Sequence, residues 1–374
     1  PQPASQRKED MIMTDFMTKN KEKLEQFAAM SQAAGSRSDY VQGGGGNTSV
    51  KLADGLMAIK ASGYCLTDIR PDKAYAVLDY EALRRFYYGN EPAQLADVEK
   101  LGSACAKENT KLIEGMDALR PSVEAGFHSI LKTFVCHTHS VYANLAACST
   151  ACCEIAEKAF NGADYTWGWV PYTDPGANLT FAIRDELRRV EEKTGKVPSV
   201  ILMQNHGIIV HDDDAERCLA IHADANERLA QQFGVHGDSF PAISVRQTGE
   251  ELYEADTPYL REALKNCRYD YKTFIETPLY PDQMVFLIGT FFMDKEGTPA
   301  EGECYADTKT GALVLHMGEK KAKTITETLT AVIFIMDTIT KMGYTVSTMG
   351  EAAKSFIANW ESEKYRKSLA GKKG

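Results

Sequence analysis

From residue 120 to 234 the chain alternates helix-like and strand-like runs, and this alternation restricts the fold to layered α/β architectures. In order, the pattern is a helix (PSVEAGFHSILK), a strand (TFVCHTH), a helix (SVYANLAAC), a loop holding VPYTDPG and a helix (ANLTFAIRDELRRVEEKTG). A strand (SVILMQNHGIIV) and a helix (DAERCLAIHADANERLAQQFG) complete it. Apolar residues recurring at helical spacing alternate here with short apolar runs bounded by turn residues, which excludes a helical bundle or a sandwich. Upstream, KEKLEQFAAMSQAAG places Leu24, Phe27, Ala28 and Met30 on one helical face and stops at Gly35. A glycine run, Gly43 to Gly46, then leads into NTSVKL and LMAIKAS, two β-like segments joined by Asp54-Gly55, a hairpin signal.

After Gly234 the composition turns polar through HGDSFPAISVRQTGE, which marks a domain boundary. The expected units are residues 12–240 and a smaller unit at 241–374. In the second, QMVFLIGTFF and ALVLHM read as strands, followed by a long helix from about Lys321 to Lys341. The N-terminal PQPASQRKED is assigned no role.

A net charge of -10 argues against non-specific nucleic-acid binding, which needs clustered Lys and Arg. A locally positive pocket for an anionic substrate remains compatible with that balance. Nine cysteines without paired CxxC spacing suggest free thiols and a reducing cytoplasm. No stretch approaches about 18 consecutive apolar residues and no secretory leader is evident, so a soluble intracellular protein without membrane attachment is expected. No GxGxxG fingerprint follows a strand, so no NAD or other dinucleotide cofactor is expected.

His137 and His139 lie at i and i+2 in the strand TFVCHTH, so both side chains leave one face and could share an ion. His206 closes the apolar run VILMQNHG, and strand ends distant in sequence can converge. Three imidazoles leave a metal open to substrate oxygens, as in catalytic zinc sites. Taken singly, each histidine could equally cap a strand or satisfy a local hydrogen bond. Glu124, with Pro121 ahead of it, could likewise be a first-turn acid favoured by the helix dipole.

Read together, GGGGNTSVK (43–51), RPSVEAGFH (120–128), CHTHSVYANLA (136–146) and QNHGIIV (204–210), with VPYTDPG (170–176), resemble the class II aldolase/adducin family. Within it the chain most resembles the aldolase part of bifunctional rhamnulose-phosphate aldolase/lactaldehyde dehydrogenases, without the dehydrogenase half. Residues 313–343 and ESEKYRKSL resemble the segment bridging the two halves of those proteins. The resemblance implies a three-layer α/β/α class II aldolase-like domain with a smaller C-terminal α/β domain. It also implies a metal-dependent aldolase cleaving a ketose 1-phosphate to dihydroxyacetone phosphate and a short aldehyde.

By the same resemblance, His137, His139 and His206 are metal ligands and Glu124 is a fourth ligand or the catalytic base. One Zn2+, or another divalent cation, is expected per chain. Gly46, Asn47, Ser62, Gly63 and Ser122 would surround the substrate phosphate. Val123 stands where small family members often carry a second serine. Glu124 precedes His137 by 13 residues, a shorter gap than in fuculose-phosphate-type aldolases, so the intervening helix must be clipped. Lys60 reads as a solvated strand residue or an added cation.

For the proton donor to the leaving aldehyde, Glu157 ranks ahead of Glu154 and Tyr165. Tyr172 reads as a pocket wall, and His128, His222, His236 and His316 as structural or exposed. A homo-oligomer, a tetramer by family resemblance, is expected. Sugar-phosphate 4-epimerase, decarboxylase or dehydratase chemistry on the same metal site is the alternative, and a non-catalytic adducin-like assembly module is the second.

Overall fold

The computed structural model describes residues 15–359. PQPASQRKED and ESEKYRKSL lie outside the described residues. Eight strands form the first sheet: β1 (Asn47–Lys51), β2 (Leu56–Lys60), β3 (Tyr75–Asp79), β4 (Thr110–Lys111), β5 (Phe134–Thr138), β6 (Trp167–Val170), β7 (Val200–Met203) and β8 (Gly207–Asp212). Their spatial order is β4-β3-β2-β1-β5-β8-β7-β6, antiparallel except for the β6–β7 pair. Among the described residues, the α-helices of this part are α1 (Asp15–Lys19), α2 (Lys21–Gly35), α3 (Tyr80–Gly89), α4 (Val98–Glu108), α5 (Ala125–Ile130), α6 (Val141–Ala147), α7 (Cys152–Ala159), α8 (Ala177–Thr194) and α9 (Ala215–Gln231).

The central strands are apolar on both faces because both faces are covered. Phe134 and Cys136 of β5, with Ile208 and Val210 of β8, pack under Leu24 and Phe27 of α2, Leu145 of α6 and Ile221 of α9. The intervening Val135 and Ile209 point the other way, to Phe127 of α5 and to Phe181 and Leu187 of α8. The fold is therefore mixed α/β in three layers, α/β/α.

A second sheet, ordered β11-β12-β13-β10-β9, contains β9 (Val245–Gly249), β10 (Leu252–Ala255), β11 (Phe291–Met293), β12 (Cys304–Asp307) and β13 (Ala312–His316). With it go α10 (Pro258–Lys265), α11 (Tyr271–Glu276), α12 (Pro281–Leu287), α13 (Glu319–Lys341) and α14 (Glu351–Asn359). One continuous apolar cluster joins the two sheets' layers, running from Phe27 and Cys136 to Leu260, Leu313 and Phe334. No helix among the described residues is long and apolar enough to cross a membrane. All nine cysteines are unpaired.

Four local expectations are corrected. SVILMQNHGIIV is a hairpin, not one strand: Asn205, at φ 51°, turns the chain, and β7 pairs antiparallel with β8. The helix expected from Pro121 is only Ala125–Ile130, because Pro121 bridges to Ala61 and Ser62 N–H donates to Arg120 O (2.9 Å). QMVFLIGTFF splits into α12 and β11, since Pro281 opens a helix and Gly289, at φ 75°, ends the approach to the strand. HGDSFPAISVRQTGE contains β9, an exposed edge strand whose few apolar residues hide it.

Two buried histidines of the first sheet's layers add to the acid sensitivity of the fold. Burial holds His211 and His222 at about 3, and His222 Nε2 sits 2.7 Å from Thr138 Oγ1. Their folded values lie below the ordinary histidine value of about 6.5, so the unfolded chain takes up more protons between those limits. The stability they contribute is complete above about pH 6.5 and is lost as pH falls toward 3, at about 1.4 kcal/mol per pH unit for each group. Urea midpoints of the metal-free protein should fall from pH 7 to pH 5, with a shallower slope in His222→Gln; a flat midpoint would contradict this account.

Candidate metal centre

Strand register explains why distant residues meet. Asn47 of β1 lies directly opposite His137 of β5, and His137 opposite Ile209 of β8. The turn before β8 therefore brings His206 beside the end of β5, where His139 follows one residue after Thr138. The ring centroids of the three histidines are 4.9–5.0 Å apart, and their candidate ligand atoms lie within 4.8 Å of one another.

Hydrogen bonds set which nitrogen of two rings faces inward. His137 Nδ1 donates to Ile208 O (3.0 Å) and His139 Nδ1 to Asp282 Oδ2 (2.6 Å). With both rings neutral, each carries its lone pair on Nε2, and these two nitrogens face each other at 3.2 Å. Burial holds His137 at about 4, despite the opposing pull of Glu124, and His206 well below the ordinary range. Glu124 adds Oε2 at 3.6 Å from His137 Nε2 and Oε1 at 3.3 Å from His206 Nε2. Lone pairs and a carboxylate converging this closely repel unless a cation or a shared proton lies among them. Four-coordinate zinc bound at 2.0–2.1 Å separates its nitrogen ligands by about 3.3 Å, so the donor set fits such an ion. Glu124 Oε1, buried without a hydrogen-bond partner, fits it as well.

A buried relay holds Glu124. Ser49 Oγ donates to His128 Nδ1 (2.6 Å), His128 Nε2 to Asn47 Oδ1, and Asn47 Nδ2 to Glu124 Oε2 (2.6 Å) and Ser122 Oγ (3.2 Å). His128 is thus structural but acts on the site, while His222, His236 and His316 stand elsewhere, paired with Thr138, Glu227 and Pro299 O. Gly46 is in the left-handed region at φ 65°, and a Cβ there would lie 2.6 Å from His137 O. The glycine is required by this approach to β5 whether or not its N–H meets an anion.

Gly46, Asn47, Ser62, Gly63 and Ser122 line one cavity with Glu124, His139 and His206. Lys60 also lines it and is only 5% exposed, so the solvated reading is wrong; its Nζ donates to Tyr64 O (2.9 Å) and Gly44 O (3.4 Å). Glu157 is not brought to the cavity. On α7 the apolar Ile155, Ala156 and Ala159 turn inward, which leaves Glu154 and Glu157 exposed; Glu154 pairs with Lys158. Tyr165 OH donates to Asp224 Oδ2 (2.8 Å), away from the site. Tyr172 packs on the cluster of Met284, Met349, Ala353 and Ile357.

Sequence reasoning missed Asp282, Pro281 and Ile357, which the last third of the chain adds to the cavity. Pro281 and Asp282 carry only a helix-start signal, so no local pattern could have found them.

Compared with known proteins, residues 25–233 match the family described as Class II Aldolase and Adducin N-terminal domain. A search of the curated proteins matches none. Among solved structures, the N-terminal class II aldolase domain of a conserved protein from Thermoplasma acidophilum is 20% identical, with a TM-score of 0.46 over 56% of this chain and 92% of that one. YgbL from Klebsiella pneumoniae, described as a putative aldolase/epimerase/decarboxylase, is 18% identical with a TM-score of 0.39 (59% and 91% covered). L-fuculose 1-phosphate aldolase from Glaciozyma antarctica PI12 is 12% identical with a TM-score of 0.36 (57% and 72% covered).

Proposed function

The chain belongs to the Class II Aldolase and Adducin N-terminal domain family, and from that membership we propose that it is a zinc-dependent lyase cleaving a ketose 1-phosphate to dihydroxyacetone phosphate and a short aldehyde. The observation that carries the reading is the pair of Nε2 atoms of His137 and His139 facing each other at 3.2 Å beside a buried Glu124 oxygen that has no hydrogen-bond partner. His137, His139 and His206 would hold the ion, which would draw charge from a substrate hydroxyl and carbonyl.

Glu124 would move the proton. Its Oε2 is engaged by Asn47, so Oε1 is the atom left to take a hydroxyl proton and return it. The backbone of Gly44 to Gly46, the hydroxyls of Ser62 and Ser122, and Lys60 offer donors and positive charge suited to a phosphate. Among the described residues, Asp282, Glu124 and Lys60 are the cavity's ionisable groups besides the imidazoles, and in this reading they are the candidates within the chain for the donor to the leaving aldehyde, with another subunit as the other source.

The proposed units are 12–240 and 241–374, a division supported by the change of sheet between β8 and β9. Within the family, the proposed kinship with the aldolase part of the bifunctional rhamnulose-phosphate enzymes rests on sequence resemblance, including that of residues 313–343 to the segment bridging their two halves. A cytoplasmic homo-oligomer of four copies completes the reading.

The test is a screen of ketose 1-phosphates with zinc-loaded protein, scoring triose-phosphate release. One member of the panel should release dihydroxyacetone phosphate. Conversion without triose release, to an epimer or a dehydrated product, would instead favour epimerase or dehydratase chemistry on the same residues.

A further inference from the structure

Asp282 belongs to α12, outside the matched segment 25–233, yet it reaches the centre of the site. It is 1% exposed, and its Oδ2 accepts the Nδ1 proton of His139 at 2.6 Å. Its other oxygen, Oδ1, has no hydrogen-bond partner. A buried carboxylate with a single hydrogen bond is costly, since burial strips the water that stabilised its charge. Positive charge on the far side of the His139 ring, at Nε2, would offset the cost. Glu124 Oε1 has no hydrogen-bond partner either, so two under-satisfied carboxylates flank the cluster of three imidazoles, Glu124 beside His137 and His206 and Asp282 beside His139, a balance suited to a divalent cation.

The glycine loop is shaped around this pair. A Cβ on Gly45 would lie 2.3 Å from Asp282 Oδ2 and 3.0 Å from His139 Nδ1. The same part of the chain grips two more pieces of the site. Glu327 of α13 accepts from Gly43 N–H (3.0 Å), and Asn205, next to His206, donates through Nδ2 to Leu279 O (2.9 Å) and Ser347 O (2.8 Å).

We propose that Asp282 is a positioning residue of the metal centre: it fixes the tautomer and orientation of His139 and sets a carboxylate behind the ring. The segment after residue 240 thereby becomes part of the site rather than an appendage. This inference rests on reading the three histidines as metal ligands. Carboxylates that accept the outer N–H of a metal-bound histidine typically govern affinity by 10- to 100-fold.

The test measures zinc Kd by chelator competition, with the visible spectrum of the cobalt(II)-substituted protein as a second readout, for wild type, Asp282→Ala and Asp282→Asn. Asp282→Ala should raise the zinc Kd by about 10- to 100-fold and shift the cobalt bands. Asp282→Asn, whose amide oxygen can still accept from Nδ1 but carries no charge, should recover part of the affinity. Melting temperatures of the metal-free proteins verify folding, and if the alanine variant does not fold, the isosteric asparagine variant decides. A folded variant with a Kd within about twofold of wild type and an unchanged cobalt spectrum overturns the inference while leaving the metal centre standing. Wild-type protein that binds no zinc overturns both.

Discussion

Glu124→Gln is expected to lower kcat on the best substrate of the screen by about 10²- to 10⁴-fold, the loss associated with removing a general base. The geometry says why a near-isosteric change should cost so much. Asn47 Nδ2 already donates to one oxygen of Glu124 at 2.6 Å, so the carbonyl of a glutamine would be drawn to that position. Its NH2 group would then occupy the place of Oε1, replacing an acceptor with a donor that cannot take a proton. Metal content should fall much less, because three imidazoles remain. Were Glu124 only the residue that precedes α5, the substitution would cost no more than roughly 1 kcal/mol of stability and leave turnover nearly intact. Steady-state kinetics beside metal content and melting temperature separates the two. Near-wild-type kcat with full metal would remove Glu124 as the base and favour an epimerase- or dehydratase-like use of the site.

His206→Ala is expected to abolish most metal binding. The three proposed ligands come from two structural sources, the end of β5 and the β7–β8 turn, and the turn supplies only one. With it gone, two imidazoles and a carboxylate remain, a poorer set for zinc. Elemental analysis should find about one zinc per wild-type chain and far less in the variant. Thermal stability offers a second measure, since a ligand at about 1,000 times its Kd stabilises the folded state by about 4 kcal/mol. Wild type should therefore melt higher on zinc addition, and His206→Ala should respond weakly. Stoichiometric metal retained in a His137→Ala/His139→Ala/His206→Ala protein would sink the assignment altogether.

Much of this centre was legible before any fold was known, and its limits are instructive. The i, i+2 spacing of His137 and His139 places two side chains on one face of any strand, so their proximity follows from local geometry. The Asp54-Gly55 turn between β1 and β2 was readable for the same reason, as were the amphipathic faces of α2, α8 and α9. The β7–β8 hairpin was not: Val200–Met203 and Gly207–Asp212 are both apolar because helices cover both sides, so no alternation of polarity marked the reversal at Asn205. Lys60 misled in the opposite sense. A lysine in a strand is ordinarily solvated, and only the loops carrying Gly44 and Tyr64 folding over it supplied the carbonyls that let it be buried.

By itself, then, the sequence determined the layered α/β class, the strand-end histidines and the candidate base, because periodicity and short-range spacing follow from backbone geometry. Tertiary structure alone decided which partners those residues have. His139 and Asp282 are 143 residues apart and Asn47 and Glu124 are 77 apart, and no local pattern encodes either pairing. Where Glu157 stands was decided the same way, by which face of α7 the core took. Burial, the tautomers of the imidazoles and the unsatisfied oxygens all arise from long-range packing, where removing water from a polar group makes its single remaining neighbour decisive.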